Sequence, residues 1–102
     1  MVHVRVEFWM GLGADLGSDF RRLSDMRALL ETEVDGGTTV RQLFQELAKR
    51  YPVVGEKVLR GDSLRQYLVA TVNHRAMGAG QLYRRVLEEG DVVTILPMYV
   101  GG

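Results

Sequence analysis

Gly101 and Gly102 end the chain, and with no Cβ near the terminal carboxylate the main chain can take almost any φ and enter a narrow site. A terminus of this shape is a handle for chemistry at its own carboxyl carbon. Cysteine is absent, which removes disulfides, thiolate nucleophiles, iron–sulfur clusters and cysteine-zinc sites together. Any sulfur chemistry must therefore use another atom. His3 and His74 are far apart and lack a flanking carboxylate motif, so they read as surface residues and not as a metal pair. The glycines at 11, 13 and 17 follow a strand but have G-x-G-x-x-x-G spacing with no amphipathic helix after them, which reads as a loop and not a phosphate cradle. Arg84 and Arg85 read as a solvated charge pair, with contact to an acidic partner patch as the rival reading.

These groups sit on a chain of 102 residues, enough for one domain and one core. Thirteen basic and thirteen acidic side chains cancel, so neither nucleic acid nor an anionic membrane is an expected partner. The first residues alternate apolar and polar and contain no continuous signal core or membrane span. A cytoplasmic protein is the expectation.

Period-two alternation puts Val2, Val4, Val6, Phe8 and Met10 on one face of a strand over 2–10. A polar, Gly-rich stretch from Gly11 to about Asp25 separates it from a second strand over 28–34, the two pairing as a long-looped hairpin. Asp35-Gly36-Gly37 is turn chemistry, and Thr39 with Gln42 is a capping box for a helix starting at Val40. Val40, Leu43, Phe44, Leu47, Ala48 and Tyr51 form its apolar stripe, Glu46 and Arg50 pair on its exposed side, and Pro52 ends it. Residues 53–65 read as irregular, with one helical turn near Glu56 to Arg60. A strand over 67–73, a short edge strand near Ala76-Met77, a turn of helix around Leu82 to Val86 and a final strand over 92–96 follow.

The expected fold is α+β, a mixed sheet of four to five strands with one main helix packed on one face. The first and last strands are the most apolar, so they belong in the middle, side by side and parallel. Pro97 lacks an N–H, so pairing should stop there, giving a domain over 1–97 and a flexible tail over 98–102. Trp9, Thr71, Thr94 and Leu96 point away from the helix-covered face; with Met98, Tyr99 and Val100 they make up the expected partner-binding set.

The helix with Val40-Arg41-Gln42-Leu43, the strand from Tyr67 to Asn73 and the run Leu87-Glu88-Glu89-Gly90-Asp91-Val92-Val93-Thr94-Ile95-Leu96-Pro97 before Gly-Gly together resemble ubiquitin-like β-grasp sulfur carriers. The resemblance is to the molybdopterin synthase small-subunit and thiamine sulfur carrier group (MoaD/ThiS-like), and Gly61-Asp62-Ser63-Leu64-Arg65 is similar to the eukaryotic Urm1-like carriers as well. It implies a protein cosubstrate and not an enzyme, or the small subunit of a molybdopterin synthase if that pathway applies. An E1-like adenylating enzyme would use ATP to activate the carboxylate of Gly102, with Gly101 giving clearance, and a persulfide would displace AMP to leave a thiocarboxylate. The chain would bind no cofactor and would deliver sulfur to a synthase subunit. Molybdopterin is the first acceptor implied, with thiamine, cysteine and tRNA thiolation as others. A protein modifier joined to lysines through the same terminus, and a binding module with an inert tail, are the competing readings.

Overall fold

The computed structural model of the chain describes residues 1–12, 19–61 and 63–98. Strand β1 (Val2–Phe8) buries Val4, Val6 and Phe8 on one face, as its alternation predicts. It pairs antiparallel with β3 (Arg27–Val34), from Val2 opposite Val34 to Phe8 opposite Ala28, and parallel with β8 (Val92–Pro97) on its other side. β6 (Leu68–Val72) pairs antiparallel with β8, and β7 (Arg75–Ala76) closes that edge. The two most apolar strands are thus central and parallel, buried where unpaired backbone groups would be most costly.

The opposite edge corrects the expected strand count. Phe20–Ser24 forms β2, so the sheet has six strands in the order β2-β3-β1-β8-β6-β7, where four to five were expected. Within β2, Phe20 alone is buried, its ring 5.9 Å from Phe8 and 4.9 Å edge-on to Tyr51. Arg21, Arg22, Leu23 and Ser24 are exposed, so the strand has one anchor and no apolar alternation to betray it. A register shift between Arg22 and Ser24 breaks the outer edge, a usual way to keep such an edge from recruiting another chain.

Helix α1 (Val40–Arg50) crosses the core face. The capping box forms: Gln42 N–H donates to Thr39 Oγ1 at 3.2 Å, and Thr39 N–H to Gln42 Oε1 at 2.9 Å. Val40, Leu43, Phe44 and Leu47 are buried against Val4, Val6, Phe8, Val93 and Ile95, each large side chain contributing roughly 1.5–3 kcal/mol by leaving water. Pro52 ends α1 as expected, but it also opens α2 (Pro52–Lys57), because a first helical position needs no N–H. The segment read as irregular therefore holds a helix earlier than the turn expected near Glu56, followed by a small hairpin of β4 (Leu59–Arg60) and β5 (Ser63–Leu64). α3 (Ala79–Arg84) overlaps the turn expected around Leu82 to Val86 but begins three residues before it. Among the described residues no helix is long and apolar enough to cross a membrane.

Candidate functional site

β8 carries the chain from the centre of the sheet toward Gly101 and Gly102. Its backbone groups alternate between neighbours: Trp9 N–H donates to Ile95 O at 2.8 Å on the β1 side, and Asn73 N–H donates to Val92 O at 2.8 Å on the β6 side. Pro97 falls on the β1 side, beyond the last bond from β1, so its missing N–H takes nothing from the pairing with β6. Pairing consequently runs one residue past the proline, with Met98 N–H donating to Tyr67 O at 2.7 Å. Tyr99, Val100, Gly101 and Gly102 lie outside the described residues, as does most of the glycine-spaced stretch after β1.

Trp9, Thr71, Thr94 and Leu96 do face away from α1, since Val93, Ile95, Leu68, Ala70 and Val72 occupy the core side of the same strands. Thr71 sits opposite Thr94, and Leu96 opposite Val69. Thr94 is only 2% exposed, which corrects the expectation of a surface contact there; its Oγ1 has no hydrogen-bond partner. Thr71 and Leu96 are half-buried, while Trp9 and Met98 are exposed. Trp9 is held by charge: its Nε1–H donates to Glu7 Oε2 at 3.1 Å, Arg27 pairs with that oxygen at 3.8 Å, and the Arg27 guanidinium lies 4.9 Å over the indole.

The β3 arm of this arrangement escaped sequence reasoning. Among the described residues, the exposed large apolar side chains Trp9, Leu23, Met26, Tyr67 and Met98 all stand at the end of the sheet where β8 hands over to residues 99–102. Met1 and Val86, the remaining two, stand at the other end. Leu23 and Met26 belong to the unforeseen β2–β3 hairpin, and only strand pairing brings them to that end.

The start of β8 is clamped. Asp91 is buried, accepting from Glu88 N–H at 2.7 Å and from Asn73 Nδ2 at 2.9 Å, with Arg85 Nη2 at 3.3 Å. Asn73 Oδ1 in turn accepts from Val92 N–H at 2.9 Å. Asn73 and His74 take positive φ of 52° and 66°, the two central positions of the tight β6–β7 hairpin, where Asn is among the residues that tolerate it. Arg85 is thus tied to Asp91, whereas the sequence suggested a solvated group. His3 is exposed, as expected, and lies between Glu33 (Nε2 to Oε1, 2.7 Å) and Glu89 (Nδ1 to Oε2, 3.1 Å). Contact with Glu89, then with Glu33, holds the imidazole pKa above its ordinary value; Glu89 is correspondingly held below the usual carboxylate range by His3. Both ring nitrogens face carboxylates, which only the protonated ring can satisfy as a double donor.

Among the described residues no group of three or more His, Cys, Asp or Glu is arranged to hold a metal ion. What stands at the exit of β8 is an exposed apolar rim around an indole pinned by Arg27.

No curated protein matches the sequence. Two solved structures each superpose with a TM-score of 0.63 over 97% of this chain and 100% of theirs: small archaeal modifier protein 1 from Haloferax volcanii, 21% identical, and a Pyrococcus furiosus protein described as molybdopterin converting factor, subunit 1, 24% identical. At these identities the likeness is one of fold, and it makes the mixed sheet with α1 across it a ubiquitin-like β-grasp. The family model matches residues 20–102, from the first residue of β2 through the Gly-Gly terminus, so the chain belongs to the ThiS family.

Proposed function

We propose that the protein is a sulfur carrier. Its Gly102 carboxylate is adenylated by an E1-like enzyme at the cost of ATP, and a persulfide then displaces AMP to leave a thiocarboxylate. A carboxylate is a poor electrophile until one oxygen becomes a good leaving group, and two activated steps replace one difficult transfer. The chain itself is the cosubstrate and brings no catalytic group: the partner supplies the nucleotide site, Gly102 carries the sulfur and Gly101 gives clearance. The acceptor is a synthase subunit, with molybdopterin as the first candidate and thiamine, cysteine or tRNA thiolation as the others.

The observation that carries this reading is that the family match runs through residue 102, taking in the Gly-Gly end. The apolar rim around the exit of β8 supports it, since an enzyme that grips a tail needs contact with the body beside it. Trp9, Leu96, Met98 and Thr71 belong to that contact in the proposal, together with Tyr99 and Val100. Intact-mass measurement of protein isolated from its native host tests the assignment: a species with one terminal oxygen replaced by sulfur is expected. A population carrying only the free carboxylate, under conditions where the acceptor pathway runs, overturns it.

The likeness to small archaeal modifier protein 1 favours a second use of the same end, formation of isopeptide bonds to lysines. Conjugates retaining Gly102 in the same measurement would mark that use, and the two are compatible in one chain.

A further inference from the structure

The chain has two lysines, and they stand in different situations. Lys57 Nζ donates to Leu12 O at 3.4 Å, tying α2 to the segment after β1. Lys49 is exposed in the last turn of α1 and lines an open groove of about 610 Å³ between α1 and the end of β3 with the turn after it. Gly36 and Gly37 form part of the groove, Gln45 and Glu46 stand along its α1 side, and Glu33 contributes from β3. A Cβ built at Gly36 or Gly37 would meet nothing within 4 Å, so backbone is open to approach there.

We propose that Lys49 is an acyl acceptor for a second copy of this chain: the activated Gly102 of the donor enters this groove and forms an isopeptide bond to Lys49 Nζ. The inference rests on the reading that Gly102 becomes activated. A tail ending Tyr99-Val100-Gly101-Gly102 presents side chains followed by bare backbone, which suits a groove offering glycine backbone in place of an apolar pocket. Formal neutrality of the chain opposes no approach of two copies.

The Glu33 end of the groove lies beyond the reach of the chain's own tail. Met98 is three residues past Ile95, which is level with Phe8, while Glu33 on the groove wall is level with His3, five residues before Phe8. Those eight residues span about 26 Å along the strand direction, and the four residues after Met98 reach at most about 14 Å. In the reaction the neutral Lys49 amine attacks the carboxyl carbon of Gly102 and a C–N bond forms. The bond from that carbon to the AMP oxygen breaks, AMP leaves with the electron pair, and one proton passes from nitrogen to water. Because the acceptor groove and the β8 exit are separate surfaces, the contact is head-to-tail and can propagate to chains.

The test uses the full chain carrying a chemically installed C-terminal thioester, where thiolate replaces AMP as the leaving group. No Lys or Arg follows Arg85, so trypsin leaves the branch Val86–Gly102 on the acceptor lysine for mass spectrometry to locate. A covalent dimer branched at Lys49 is expected; Lys49→Arg should lower its yield about tenfold, the gain from orientation being lost, while Lys57→Arg changes it less than about twofold. Branches distributed equally over Lys49, Lys57 and the Met1 amine, a cyclised monomer, or no dimer would each overturn the assignment. The thioester bypasses adenylation and sulfur transfer, so failure here leaves the carrier reading intact, and an absence of thiocarboxylate in the host leaves this result standing.

Discussion

Asp91 marks the difference between a residue type and a residue in place. In the sequence it is one more turn former in Glu88-Glu89-Gly90-Asp91, but in the fold it is 4% exposed and receives Glu88 N–H, Asn73 Nδ2 and Arg85. Asp91→Ala removes the acceptor for all three and should cost about 2–4 kcal/mol in urea unfolding, since partners of a buried charge are left without compensation. A loss under about 0.5 kcal/mol, the range of ordinary surface changes, would show that the clamp is ornamental. His3 is the solvent-exposed counterpart, and its effect has a direction in pH. Its folded pKa is raised, so its contribution is fully present below the unfolded value of about 6.5 and is lost as pH rises through the folded one. Glu89 has the opposite sign: its lowered pKa gives a contribution present above the ordinary carboxylate value and lost as pH falls through the folded one. An NMR titration should therefore place the His3 midpoint above about 6.5, and Glu89→Gln should bring it down. A midpoint that ignores Glu89→Gln would remove the clasp. Neither Asp91 nor His3 could be read in full in advance, because Asn73 for the one, and Glu33 and Glu89 for the other, come from segments that only the sheet brings together.

Elements were legible where one face is apolar throughout and dark where a single side chain does the anchoring. α1 had both a capping box and a full stripe, and its bounds follow them, with Val40, Leu43, Phe44 and Leu47 buried. Leu47→Ala should cost about 2–5 kcal/mol by leaving a cavity beneath the sheet, and Thr39→Ala about 1 kcal/mol by freeing Gln42 N–H; both are read as shifts in urea midpoint at unchanged slope. If Thr39→Ala were as damaging as Leu47→Ala, the cap and not the stripe would hold the helix. β2 had neither signal: Phe20 is its one buried residue, and Arg21 and Arg22 resemble loop residues until β3 is paired beside them. The same blindness hid Leu23 and Met26 from the candidate surface. Pro97 erred in the other direction. A missing N–H predicts an end to pairing only on the side where that N–H would point, and that side had already run out of strand.

At the scale of the whole molecule the proposed function divides labour between a body that holds and an end that reacts. Among the described residues every member of the apolar core lies at or before Ile95, so on the proposed function deletion of Gly102 should shift the melting temperature by less than about 2 °C while abolishing thiocarboxylate formation. A large fall in melting temperature would mean that the end contributes to the body. The surface around the β8 exit calls for the complementary change, one that spares Gly102 and disturbs the grip. Arg27→Glu reverses the charge over Trp9 and sets a carboxylate beside Glu7, and Trp9→Ala removes the largest exposed ring at that end. If the activating enzyme docks there, each variant should raise KM for the carrier in ATP–pyrophosphate exchange by about tenfold, with kcat nearly unchanged, as loss of binding common to ground and transition states requires. Gln45→Ala, in the groove on the α1 side, should leave both constants alone. Equal effects from all three would point to general loosening of the fold. An unchanged KM in the two sheet-face variants would place the grip entirely on residues 99–102, with the apolar rim left for the sulfur acceptor to cover.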